Sequence, residues 1–191
     1  MSEREKLSRA VLKTAWGYFF LYFNINLGAL NVLPEFAGFL LFLSAIKDMA
    51  DEEPETELLR VPAAVLAALH LAYWMGRLVN IDIGAIFPFV DIIMGTVNLY
   101  FHFQLLTNIA SIAERYQSED SEYSHRLLSL RTAQTVMLTV MMALESIYPL
   151  TGEAGAYINI VIAIVYIIAG ICLMSALFGL RKDIFFEETE A

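Results

Sequence analysis

Apolar residues gather into six blocks, near 10–28, 34–50, 60–79, 86–111, 130–149 and 155–180, separated by short polar stretches. None of the blocks alternates with the period of two that a half-buried strand needs. A helix crossing the hydrocarbon core needs about 20 residues, with a range of about 17–25, and the first two blocks lie at the short end. Backbone in lipid must satisfy its own hydrogen bonds, which leaves helices for spans of this kind. The pattern predicts an all-α polytopic membrane bundle of six transmembrane helices. They would form three hairpins, about 10–50, 60–111 and 130–180, within one integral membrane domain covering 1–191, with linkers at 51–57 and 112–131.

Charge orients this arrangement. With the N-terminus inside, the cytoplasmic segments hold Arg4, Lys6, Arg9, Lys13, Lys47, Arg60, Arg115, Arg126, Arg131, Arg181 and Lys182, and the outer segments hold Arg77 alone. Eleven of twelve cations on one side is the positive-inside bias, and it predicts both termini in the cytoplasm. Trp16, Trp74, Tyr148 and Tyr157 fall where interfacial anchors are expected. The acidic linker 51–57 and the polar stretch from Ser118 to His125 read as solvated connectors. Residues 126–131 read as a short amphipathic helix entering the fifth span. Docking of a membrane or cytoplasmic protein partner is the alternative use of both linkers.

Composition agrees. The chain is 58% hydrophobic and 17% charged over 191 residues, with a mean hydropathy of +0.60. So little charge would leave a soluble domain poorly covered. A net charge of −9 argues against a nucleic-acid partner. Cys172 is the only cysteine, so the chain can form no internal disulfide and has no Cys/His metal spacing. The stretch Met1–Arg9 before an apolar block imitates a secretory signal. No small-x-small pattern precedes a cut near Ala29, however, so an uncleaved first span is expected. The expected partner is the lipid bilayer, and the expected location is a bacterial cytoplasmic (plasma) membrane.

Residues 24–30, Asn-Ile-Asn-Leu-Gly-Ala-Leu, recur 56 positions later as Asn-Ile-Asp-Ile-Gly-Ala-Ile at 80–86. Each copy follows an aromatic-rich span and precedes a proline, Pro34 or Pro88, and then an acid, Glu35 or Asp91. Pro149 and Glu153 echo this without the core motif. The repeat predicts outer turns, with Asn capping, Gly allowing positive φ and Pro opening the next helix. It also predicts that the first two hairpins superpose, with Gly28 over Gly84. The functional alternative is a shared outer site lined by the matching turns, although transporter repeats are more often inverted.

Ionisable groups within spans are the candidates for function. Asp91, Gly95, Asn98 and His102 are spaced by 4, 7 and 11 residues from Asp91. At about 100° per residue they share one stripe of the fourth span. Asn98 lies about 15 Å from the Pro88 end, near the midplane. Such a stripe is expected to face the bundle interior, either as interhelical hydrogen-bond glue or as a polar pathway, with His70 a further candidate for the same interior. Nearer the outer face, Arg77 is the natural partner for Asp82, Asp91 or Glu145, as an ion pair or an outer solute contact. Small-residue pairs Ala63/Ala67, Ala64/Ala68, Cys172/Ala176 and Ser175/Gly179 allow close helix packing.

No His-Glu-x-x-His, phosphate-binding loop, Gly-x-Ser-x-Gly or metal-spaced acid pair is present. No catalytic residue, cofactor or metal is assigned. The expected function is a transport-type protein or a membrane-embedded substrate-binding subunit for a small solute or cation. The alternative is a non-catalytic membrane scaffold or regulatory partner, and a membrane enzyme ranks third.

Overall fold

The computed structural model describes residues 2–190 apart from 24, 25, 28, 29, 32, 119 and 120, and the backbone alone of 26, 27, 30, 31, 145–157, 159 and 186–190. Among the described residues the regular elements are helical, save one two-residue antiparallel pairing. Ser2 opens α1 (Glu3–Tyr22), accepting the Glu5 backbone N–H at 3.1 Å. Pro34 precedes α2 (Glu35–Met49), and a 3-10 segment, Pro54–Leu59, leads into α3 (Arg60–Leu78). A single turn, α4 (Ile83–Ile86), precedes α5 (Pro88–Tyr116), where Pro88 occupies a first-turn position that has no use for an N–H. The last element, α6, is helical from Tyr123 to Glu190.

That last helix cannot be straight. A β-carbon built on Gly179 would lie 2.6 Å from the Tyr123 ring, so the two residues touch. In a straight helix, 56 residues would separate them by roughly 84 Å. Asp183 likewise accepts the Ser121 hydroxyl at 2.5 Å, beside the start of α6. α6 therefore doubles back between its arms, Tyr123–Leu144 and Ile160–Phe185.

Neighbouring helices run antiparallel in a ring. Near one end Lys13 of α1 donates to Ser44 at 2.8 Å and Asp48 at 2.5 Å on α2, and toward the other end Leu21 meets Gly38. Phe36 and Phe39 of α2 meet Trp74 and His70 of α3. Tyr73 of α3 reaches Asp91 of α5, and Arg131 and Met142 of α6 meet Thr107 and Gly95 of α5. The second arm of α6 closes the ring against α1, through Trp16–Phe178 and Tyr22–Tyr166. Inside lie Tyr18, Phe39, Phe42, Phe101 and His102, all buried.

Among the described residues, four helices are long and apolar enough to cross a membrane: Pro54–Leu78, Pro88–Tyr116 and the two arms of α6. Val61, Ile92 and Val161 lie exposed on their outer faces, a surface suited to lipid and poorly suited to water. α1 and α2 fall short of that standard. Six of the first thirteen residues, Glu3, Arg4, Glu5, Lys6, Arg9 and Lys13, are charged. The 15 residues of α2 reach only about 22 Å.

The two copies of the sequence repeat fold differently. Asn24 and Gly28 lie outside the described residues, so the overlay of Gly28 on Gly84 does too. In the first copy Asn26–Leu27 pairs with Leu30–Asn31, whereas in the second Ile83–Ile86 makes a helical turn. The reason lies just upstream. α3 ends with Ile81 N–H bonded to the Gly76 carbonyl at 2.8 Å, Asn80 N–H to Arg77 at 3.3 Å, and Asn80 itself at φ 56°. This is the paired-bond helix ending with a left-handed residue just past the cap. A β-carbon on Gly76 would fall 2.9 Å from the Ile81 carbonyl oxygen. Phe20 occupies the matching position of the first copy and cannot make that ending.

The acidic linker is not the free connector its composition implies. Glu52 accepts the Tyr116 hydroxyl at 2.6 Å, and Glu53 accepts from Arg115 at 2.6 Å and Ser111 at 2.8 Å. Arg115 also donates to the Glu52 carbonyl at 3.0 Å, and Lys6 pairs with Asp51 at 3.3 Å. These bonds gather the start of α1, the linker and the end of α5 at one charged end. Residues 126–131 are helical and run into the fifth apolar block as part of α6, which begins at Tyr123.

Candidate functional site

α3, α5 and the first arm of α6 line a half-open groove of about 440 Å³. His70, Asp91, Gly95 and Asn98 form one wall, and Met94, Leu138, Met141 and Met142 form the rest. The turns that set α5's start also set this wall. Pro88 begins the helix, Asp91 follows in its first turn, and Asn98 lies two turns further in.

The polar wall is only partly satisfied. Asp91 Oδ1 accepts the Tyr73 hydroxyl at 2.6 Å. His70 Nδ1 lies 2.7 Å from Glu35 Oε2, and its ring stacks on Phe39 with centroids 5.0 Å apart. Glu35 at Nδ1 makes that nitrogen the donor of the contact, which leaves Nε2 for a second partner. That Nε2 is buried and has no protein partner, and neither does the buried Asn98 Oδ1. Leaving one such group unsatisfied costs about 1–3 kcal/mol. Both belong to residues that line the groove.

A smaller pocket of about 70 Å³ lies on the other side of His70, bounded by Glu35, Tyr73, Trp74, Arg77 and Met94. Arg77 lies here, near Glu35. It forms no ion pair with Asp82 or Asp91 among the described residues. Asp82 instead caps α4, accepting the Ala85 N–H at 3.1 Å, and the side chain of Glu145 lies outside the described residues. Of the expected outer grouping, Arg77 and Asp82 thus form no ion pair among the described residues, and the Glu145 side chain falls outside them.

Of the four residues expected along the polar pathway, His70, Asp91 and Asn98 share the cavity. His102 does not. It is 2% exposed, its Nδ1 is 3.1 Å from the Tyr18 hydroxyl, and Phe39, Phe42 and Phe101 surround it. Its four-residue offset from Asn98 carries it past the cavity floor into the aromatic core.

Sequence reasoning missed Glu35, Tyr73 and the methionines. Glu35 reads as a dipole-matched acid in a first turn, and Tyr73 as part of the aromatic-rich span before the second copy of the repeat. Only the adjacency of Met94 to Gly95, and the Met141–Met142 pair, hinted that the apolar wall is thioether rather than branched aliphatic. Among the described residues no group of three His, Cys, Asp or Glu side chains is placed to hold a metal ion. No family model matches the chain, and no curated protein and no solved structure matches it, so function has to be read from the site's own geometry.

Proposed function

We propose that this is a small transport-type or substrate-binding membrane protein, with six spans in three hairpins, both termini in the cytoplasm, and a solute site in its outer half. The observation that carries the reading is the groove between α3, α5 and the first arm of α6, where Asp91, His70 and Asn98 come together with Met94, Met141 and Met142.

Two features support six spans, although only four helices meet the length and apolarity of a span. α1 and α2 lie antiparallel along the bundle rather than across its end, with α1 meeting the second α6 arm from Trp16–Phe178 to Tyr22–Tyr166. The start of α1, the 51–57 linker and the end of α5 share the charged end, as an even number of crossings requires. A scaffold would use the acidic linker to recruit a partner, but Glu52 and Glu53 are already engaged within the chain, which favours the solute reading.

The test is ligand-induced thermal stabilisation of the protein in lipid nanodiscs against a panel of small polar solutes, paired with cysteine-accessibility labelling in intact cells. We expect at least one solute to raise Tm in the native protein and not in Asn98→Leu. External reagent should label a cysteine placed at Ile81 and not one at His125. Labelling at 125 from outside overturns the topology. A panel that never shifts Tm overturns the solute site.

A further inference from the structure

We propose that the outer groove between α2 and α3 binds one anionic phospholipid, its phosphate at the charged end of the bundle and an acyl chain along the helices. The proposal is independent of the solute site. It needs only that α3 crosses the bilayer, for which that helix is long and apolar enough.

The groove, about 530 Å³, is lined by Leu43 and Lys47 of α2 and by Arg60, Val61, Ala64 and Val65 of α3. Its two chemistries are separated along the helices. Lys47 lies in the last turn of α2 and Arg60 opens α3, so in this antiparallel pair both cations stand at one end. Leu43 lies one turn inward from Lys47, and Ala64 and Val65 lie one turn inward from Arg60, about 6–8 Å along the axis. The 19 residues of α3 span about 28 Å, close to the roughly 30 Å of a hydrocarbon core. Arg60 therefore meets the headgroup layer, and Val65 lies in hydrocarbon. Val61, Ala64 and Val65 are exposed, whereas Ala63 and Leu66 on the opposite side of α3 are buried in the core. The groove thus opens toward lipid and away from the bundle interior.

The cations at this end differ in what already holds them. Lys13 is bonded to Asp48 and Ser44, Lys6 to Asp51, and Arg115 to Glu53. The Lys47 side chain has no hydrogen bond or ion pair among the described residues. Arg60 gives one guanidinium nitrogen to Glu57 at 2.6 Å and keeps two others. The remaining acids of the linker are held elsewhere: Glu52 by Tyr116, Glu53 by Arg115 and Ser111, and Glu55 by Gln104 at 3.5 Å. A phosphodiester suits the two cations that line the groove. A guanidinium offers a planar fork of donors to phosphate oxygens, and an ammonium adds a mobile point charge. Basic grooves between helices at the membrane surface bind anionic headgroups in this way. A zwitterionic headgroup would bring its own ammonium against Lys47 and Arg60, so the lipid is one without that group. Glu57 competes with the phosphate for Arg60.

The experiment is native mass spectrometry of the protein in detergent, with phosphatidylglycerol or phosphatidylcholine of identical acyl chains added. We expect one phosphatidylglycerol to be held about fivefold or more tightly than phosphatidylcholine. Lys47→Gln combined with Arg60→Gln should remove that preference, and both side chains are exposed, so the fold should survive. Lys6→Gln combined with Arg9→Gln removes the same charge from cations that Asp51 and Glu5 already hold, and should leave the preference in place. Glu57→Gln frees Arg60 and should tighten binding. Ala64→Phe fills the apolar part of the groove without altering charge and should weaken it. Glycerol phosphate in excess should not displace the lipid. Equal retention of the two lipids by the native protein overturns the site. So does an equal loss in the Lys6 and Arg9 pair, which would leave only general attraction to a basic end. Unchanged binding in Ala64→Phe, or displacement by glycerol phosphate, would reduce it to a phosphate contact and overturn the lipid assignment.

Discussion

The backbone of Gly38 on α2 rests against the Gly17 carbonyl on α1: a β-carbon built on Gly38 would fall 2.7 Å from that oxygen and 2.5 Å from a Leu21 methyl. The oxygen belongs to a helix backbone and cannot rotate away, so relief requires the helices to separate. Gly38→Ala should destabilise by about 1–3 kcal/mol, the usual cost of overpacking. Gly95→Ala, which meets only the movable Met142 side chain, should cost much less. Thermal unfolding of both variants in detergent checks the contrast, and equal Tm values would mean that α1 and α2 do not pack this closely.

Asn80 carries the one positive φ found among the described non-glycine residues, at the cap of α3. Asn tolerates the left-handed region better than most side chains, and Gly tolerates it best. Asn80→Gly should therefore leave stability unchanged or raise it, while Asn80→Val should lose about 1–3 kcal/mol to backbone strain. A Tm for Asn80→Val equal to that of the native protein would remove the left-handed ending of α3.

How far the sequence could be read depends on which physical signal each feature carries. Helix positions follow from apolar length and from Pro34, Pro54 and Pro88, which are local signals, and α3 and α5 match the expected blocks closely. The repeat misleads because the shared residues leave out the one that decides the turn, Gly76 against Phe20. The role of Gly17 and Gly38 was invisible because neither has a small residue four positions away that would advertise a packing face. The cavity was half legible. A stripe at helical spacing finds residues on one face of α5, but what that face meets changes with depth, from α6 methionines beside Gly95 to α1 and α2 aromatics beside His102. The engaged linker was hidden for a related reason, since Arg115 lies 62 residues from Glu53 and no local pattern pairs them.

Glu53 and Arg115 pair at the charged end, 2.6 Å apart with Glu53 16% exposed. Because Arg115 is 45% exposed, their coupling should be modest, about 0.2–1 kcal/mol in a double-mutant cycle of Glu53→Ala and Arg115→Ala. Ser111→Ala should couple to Glu53→Ala as well, since Ser111 donates to the same carboxylate at 2.8 Å. Strict additivity of Glu53→Ala and Arg115→Ala in denaturant unfolding would show that the linker is free after all.

Asn98 and His102 stand one turn apart on α5, and replacing each by leucine should give opposite results. Asn98 Oδ1 has no protein partner to lose, so Asn98→Leu removes a buried group that is already unsatisfied. Its effect on stability should be small, below the roughly 0.6 kcal/mol average of a membrane hydrogen bond, or favourable. The same change makes a polar residue of the groove apolar and should abolish ligand-induced stabilisation. His102 is the reverse case. Leucine in its place leaves the buried Tyr18 hydroxyl without the 3.1 Å contact and disturbs the packing of Phe42 and Phe101, at a cost of about 1–3 kcal/mol. Because His102 does not reach the cavity, the remaining folded protein should bind ligand with native affinity. Measuring Tm and ligand affinity for both variants separates the two roles. If Asn98→Leu unfolds the protein while His102→Leu abolishes binding, the site belongs deeper in the bundle, around Tyr18 and the aromatic rings, and the cavity beside Met142 is packing space.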